Sequence, residues 1–209
     1  MSAVLDVEID PGPLERTRAD VLVVFYFDSD RPLRGGAGRA DWRLCGQLSQ
    51  LLLAGRLGGA RGEAVLVPTA GGLAAPLLIG LGLGSRDRFD AATCEALGRD
   101  AVDRGRRLGA KSLALPLPEV RAGGLELAES IEALVSGAVA ALADLSTQLR
   151  LRLVPPLADV ARAQALLSET APRSVASVVV RVSRAAVPRG VPAPQGAKPF
   201  SPIPRQTIK

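Results

Sequence analysis

The sequence predicts a three-layer α/β/α domain with a mixed, largely parallel sheet over residues 1–184, followed by a Pro-rich basic tail over residues 185–209. Three observations carry this. Apolar residues repeat alternately with strand-type and helix-type spacing through the first 183 residues, and strands alternating with helices put helices on both faces of a sheet. Hydrophobic residues make up 47% of the 209 residues but aromatics only 3%, so the core is built from Leu, Val, Ile and Ala. Beyond Arg184 the periodicity stops. There, six prolines and no acidic residue occur in "AAVPRGVPAPQGAKPFSPIPRQTIK", a stretch that buries too little apolar surface to fold alone.

Each element has its own local signal. "AVLDVEI" (Ala3 to Ile9) alternates as a half-buried strand does and stops at "PGP". "DVLVVFYF" (Asp20 to Phe27) is continuously apolar, which suits a strand covered on both faces. Leu44, Leu48, Leu51 and Leu52 recur at helical spacing and predict one helix from about Arg39 to Ala54. "EAVLVP" and "APLLIGLG" predict neighbouring strands separated by "TAGGLA".

Asp90 is placed to cap the next helix, whose inner stripe reads Cys94, Leu97, Ala101 and Leu108, with Gly109 as its stop. "KSLALPLP" is a strand ended by prolines. Leu127, Ile131, Leu134, Val135, Ala138 and Leu142 line a third helix. "TQLRLRLV" alternates strictly, so Leu149, Leu151 and Leu153 face a core while Arg150 and Arg152 face solvent. Pro155-Pro156 opens a fourth helix running to about Thr170, and "SVASVVVRV" is a last strand.

Charge narrows the function classes. The net charge of +5 is concentrated at one end, because seven basic residues and no acidic one follow Thr170. Without those seven, the first 170 residues carry 19 basic against 21 acidic side chains, a net of −2. A nucleic-acid role would therefore rest on the tail alone, with weak, salt-sensitive affinity. No apolar run approaches the roughly 20 residues of a membrane span, and the amino terminus lacks the basic and apolar regions of a secretory signal. The expectation is a cytoplasmic protein with no membrane association. Cys45 and Cys94 both fall in helical patterns and are expected as buried, reduced thiols.

With the elements placed, "ADVLVVFYF", "GEAVLVPTAGGLAAPLLIGLGLGSRDRFD" and "LGAKSLALPLP" together resemble the N-terminal domain of the leucyl aminopeptidase family, over about Ala19 to Thr170. The resemblance implies a macro-domain-like fold that is not itself catalytic and that serves in assembly beside a peptidase domain. It implies no catalytic residue here. The family's two-metal catalytic half carries a string similar to NTDAEGR, which does not occur in these 209 residues, and histidine is absent from them. No metal site and no cofactor is expected. The implied role is an assembly or interaction module for a protein partner or a second copy.

Two candidate sites follow. "RPLRGGAGRADWRLCG" places Gly35, Gly36 and Gly38 between the second strand and a helix beginning near Arg39. The first reading is a glycine turn that lets the chain reverse tightly. The alternative is a macro-like site for ADP-ribose or a related nucleotide, with Gly35, Gly36, Gly38 and Arg39 around a phosphate at the helix start. A second phosphate loop would then fall in "LPLPEVRAGG", at Gly123 and Gly124. Against this reading, "DSDRP" stands where ADP-ribose-binding macro domains carry an Asn-rich segment, and Asp28 and Asp30 would repel a pyrophosphate. Asp28, Asp30 and Asp41 are expected as solvated surface carboxylates.

The partner-binding candidates are Trp42, as an interface anchor, and Phe200, Ile203 and Arg205 of the tail, which could dock in a groove or on a sheet edge. "GLGLGSRDRFD" has glycines at alternate positions and lacks the dinucleotide spacing G-x-G-x-x-G. It reads as a strand end and a tight turn.

Overall fold

The structure is a computed structural model that describes residues 2–117, 124–170, 174–175 and 177–184. Among these residues eight strands form one sheet: β1 (Ala3–Ile9), β2 (Val21–Tyr26), β3 (Ala64–Pro68), β4 (Leu77–Gly82), β5 (Ser112–Pro116), β6 (Gln148–Val154), β7 (Ser174–Val175) and β8 (Val178–Arg184). Their spatial order is β3-β4-β2-β5-β6-β1-β8-β7. The six inner strands are mutually parallel, while β3 and β7 run antiparallel at the two margins. Among the described residues five α-helices accompany them: α1 (Gly35–Arg43), α2 (Gln47–Leu53), α3 (Ala91–Arg107), α4 (Leu127–Leu142) and α5 (Val160–Thr170).

The helices divide between the two faces of the sheet. α3, α4 and α5 pack on one face with Leu5, Val7, Val23, Leu113 and Leu151. α1 and α2 cover β2 and β4 on the other, where Leu22, Val24, Tyr26 and Leu78 meet Ala37, Ala40 and Leu48. The expected layering and mixed sheet are thus present. β2 is central and buried at every position, as its unbroken apolar run predicts. β1 buries alternate residues, and its half-buried partners form a polar ladder with β6. There the Glu8 carboxylate meets Arg152 Nε at 2.6 Å and Asp6 accepts from Gln148 Nε2 at 2.8 Å. Arg152 is therefore paired across the sheet rather than simply solvated.

Several expected boundaries shift. "SVASVVVRV" is two strands, since β7 folds back antiparallel on β8. The fourth helix opens with a 3₁₀ turn at Leu157–Asp159 before α5 begins at Val160. Leu108 lies beyond the end of α3 and is 41% exposed, beside Leu66 of the marginal strand β3.

The α3 cap forms as read: Asp90 Oδ1 accepts from Thr93 N at 2.7 Å and from Thr93 Oγ1 at 2.6 Å. These bonds hold the Asp90 carboxyl below its ordinary pKa. A carboxyl whose folded pKa is depressed stabilises the fold above its unfolded pKa and loses that contribution as pH falls. Asp90→Ala is expected to cost about 1 kcal/mol at neutral pH. In urea titrations the gap between variant and wild type should close as pH drops below the ordinary carboxylate range. A gap unchanged by acid would rule out the charged cap as its source.

Candidate functional site

At the carboxyl ends of β2, β4 and β5 the chain opens a small crevice, the position where open α/β sheets commonly bind ligands. After β2, Asp30 turns back into the structure. Its Oδ2 accepts from the Phe27 amide at 2.9 Å and its Oδ1 meets Arg86 Nη2 at 2.8 Å. The Arg86 guanidinium lies 4.1 Å from the centre of the Phe27 ring, and Phe89 packs edge-on against that ring at 5.5 Å. Asp30 is thus a buried hub tying the β2 exit to the 3₁₀ turn Arg86–Arg88. It is not the solvated surface carboxylate expected, and Arg86 compensates its charge. Asp28 is exposed, as expected. Sequence reading missed Arg86 because nothing in "GSRDRFD" says which strand end the turn will face.

Gly35, Gly36 and Gly38 of "RPLRGGAGRADWRLCG" belong to a helix rather than a loop. α1 begins at Gly35, four residues ahead of the expected start near Arg39, so Gly36 and Gly38 lie inside its first turn. Only Gly35 has a positive φ, +53°. A Cβ on Gly36 would stand 2.8 Å from Leu14 Cδ2, and one on Gly38 would stand 2.6 Å from the Leu33 carbonyl oxygen. The glycines let α1 press against the preceding chain, so Gly36 and Gly38 form part of the helix start rather than a turn ahead of it. Arg39, in turn, pairs with Glu15 at 3.4 Å.

The crevice at the start of α1 is lined by Asp30, Arg34, Gly35, Gly36, Arg86 and Leu117, among others, and holds about 60 Å³. Pockets for nucleotide-sized ligands run to roughly 300–1,000 Å³, so the described walls leave room for a small group only. Of the second expected phosphate loop, Gly123 lies outside the described residues and Gly124 has φ +73°.

The single helix expected from Arg39 to Ala54 is two helices. Cys45 (φ +55°) and Gly46 (φ +80°) break it, and Asp41 caps the second. Asp41 Oδ1 accepts from Leu48 N at 2.7 Å and Ser49 N at 3.1 Å, while Oδ2 accepts from Ser49 Oγ. Asp41 is therefore buried, contrary to expectation. The break exposes Cys45, which corrects its expected burial. Cys94 is buried as expected, and burial pushes its thiol up to about 12. Among the described residues no cluster of three potential metal ligands occurs.

Trp42, near the end of α1, is 77% exposed. It stands between two surface clefts, one shared with Pro32, Leu33 and Cys45 and the other with Glu15, Arg16 and Arg39. Phe200, Ile203 and Arg205 of the tail lie outside the described residues, as does the whole segment 185–209. Among the described residues no helix is long and apolar enough to cross a membrane.

The fold defines the class. A macrodomain variant from Oceanobacillus iheyensis superimposes with a TM-score of 0.60 at 14% identity, covering 78% of this chain and 90% of that one. The chain thus has the macrodomain fold. Residues 22–143 match the model of the cytosol aminopeptidase family, N-terminal domain, and the chain belongs to that family. The resemblance read from its strand and turn strings therefore holds. It is 27% identical over 130 residues to a probable cytosol aminopeptidase of Persephonella marina, covering 61% of this chain and 26% of that protein. Against a probable cytosol aminopeptidase of Streptomyces griseus it is 37% identical over 105 residues, covering 48% and 20%. The aligned segments span only about a quarter of these relatives, and what matches in the family is its N-terminal domain.

Proposed function

We infer that this chain is a cytoplasmic, non-catalytic accessory module of the cytosol aminopeptidase family, which binds a protein partner or a second copy of itself. The observation that carries this reading is Trp42. A tryptophan left 77% exposed between two clefts offers the large, rigid anchor typical of interface hot spots. It belongs to a helix whose other face is committed to the core through Ala37 and Ala40. The tail, with Phe200, Ile203 and Arg205, supplies a second docking element, and tethering two contacts on one chain raises their effective concentration.

The test is a chemical cross-linking pull-down from lysate. It compares the intact chain, a chain ending at Ala185, and Trp42→Ala. Trp42→Ala is expected to lose the captured protein with its melting temperature within about 2 °C of wild type, since a surface substitution changes stability by about 0.5 kcal/mol or less. Unchanged capture by Trp42→Ala would remove the α1 surface from the interface. Loss on truncation alone would assign docking to the tail. Hydrolysis of leucyl p-nitroanilide by the purified chain with added zinc or manganese would overturn the non-catalytic reading.

A second reading, binding of ADP-ribose or a related nucleotide around Gly35–Gly38, draws on the macrodomain fold and on an α1 amino terminus that no side chain caps. The small crevice and the tight fit of Gly36 and Gly38 against Leu14 and Leu33 weigh against it. Calorimetric titration with ADP-ribose decides it.

A further inference from the structure

We propose that the β3 margin of the sheet is a strand-addition site for an extended acidic peptide segment of a partner. This surface is distinct from the Trp42 face and does not depend on that reading. β3 is the terminal strand, and among the described residues it pairs only with β4. The ladder is bracketed by Gly82 N donating to Glu63 O at 2.9 Å and Thr69 N donating to Pro76 O at 3.0 Å. Antiparallel ladders alternate inward and outward backbone groups. Val65 and Val67 therefore bond to β4, while Ala64, Leu66 and Pro68 turn their backbone groups outward. Among the described residues, two N–H donors and three carbonyl acceptors along this edge have no backbone partner.

The edge lacks the usual guards. "AVLVP" carries no charge, and its one proline sits at the end of the strand, where it removes a single donor. Beside it runs an apolar trough, between Ala64, Leu66 and Ile79 on the sheet and Leu108 beyond α3, with a volume of about 240 Å³. Leu66 is 47% and Leu108 41% exposed. An open backbone edge next to a pocket for alternate side chains is the combination that strand addition requires.

Charge selects the occupant. Arg104 and Arg107 form the rim of the trough. Arg104 is engaged with Asp100 at 2.7 Å, whereas Arg107 has no ion pair among the described residues. An incoming strand with an apolar side chain in the trough places its next same-face residue, two positions on, beside this rim, where a carboxylate fits. The chain's own tail is excluded on the same ground, since residues 185–209 carry four basic residues and no acidic one. A second copy paired edge to edge about Leu66 would bring two arginine rims to one seam.

The test uses Thr-Val-Thr-Glu-Thr-Glu-amide carrying fluorescein on its amino terminus, and its counterpart with lysine in place of both glutamates labelled at the same position, followed by anisotropy at low salt. The acidic peptide is expected to bind about fivefold more tightly than the lysine peptide. Leu66→Pro removes the central outward N–H and is expected to weaken binding about tenfold. Arg107→Glu, at an exposed position, is expected to reverse the preference between the two peptides, and it carries the test if Leu66→Pro does not fold. Equal binding of the two peptides, or no saturable binding in the millimolar range, overturns the proposal. So does a concentration-dependent dimer of the free chain that Leu66→Pro abolishes, which would make a second copy the occupant.

Discussion

Gly137→Ala is expected to destabilise the protein by about 3 kcal/mol, at the upper end of overpacking costs. A Cβ at this position would lie 1.9 Å from the Glu95 carbonyl oxygen and 2.8 Å from the Arg99 amide nitrogen. Both are α3 backbone atoms, which no rotamer change can move aside. The contact is reciprocal, since a Cβ on Gly98 of α3 would lie 2.3 Å from the Leu134 carbonyl of α4. Two glycines thus set the closeness of the α3–α4 packing.

Alanine is the better helix former by about 1 kcal/mol, so two effects oppose each other, and the backbone clash is the larger. Gly105→Ala supplies the contrast. There the nearest atoms belong to the Leu113 side chain, at 2.5 Å from its Cδ2, and a flexible side chain can yield. Urea midpoints for the three variants check the ordering, with Gly98→Ala and Gly137→Ala both well below Gly105→Ala. A midpoint for Gly137→Ala at or above wild type would show that the helices separate at little cost.

Asp41→Ala is expected to cost about 2 to 3 kcal/mol, the range for losing hydrogen bonds to a charged, buried acceptor. The carboxylate serves the first amides of α2 from within α1, and without it the Leu48 and Ser49 amides lose their acceptor. Asp41→Asn keeps one carbonyl oxygen and should recover part of the loss. Thermal melts monitored by circular dichroism separate the two. Asp41→Ala equal to wild type would mean that α2 holds by the packing of Leu48 alone.

Much of the fold was legible in local spacing. β1, β2 and α4 fall almost where their periodicities of two, unbroken burial and 3.6 place them, because each pattern reports which face of one element meets the core. Asp90 was also legible, since an N-cap acts within three residues of itself. The roles of Gly36, Gly38, Asp30 and Asp41 were not. A glycine chosen for flexibility and one chosen for close approach are identical letters. Here Leu14 and the Leu33 carbonyl, brought close by the packing of α1, decide between them. Asp30 reads as a loop carboxylate until Arg86, 56 residues away, arrives beside it.

The same division separates what each level determined about this protein. The sequence by itself established the α/β alternation, the family strings and the charge asymmetry between body and tail, because these are properties of residues and their near neighbours. Only the tertiary structure decided that β3 ends the described sheet, that Leu108 stands exposed beside it, and that Trp42 stands outside the core. Strand order and helix placement set those exposures, and they follow from long-range contacts that no local pattern of letters records.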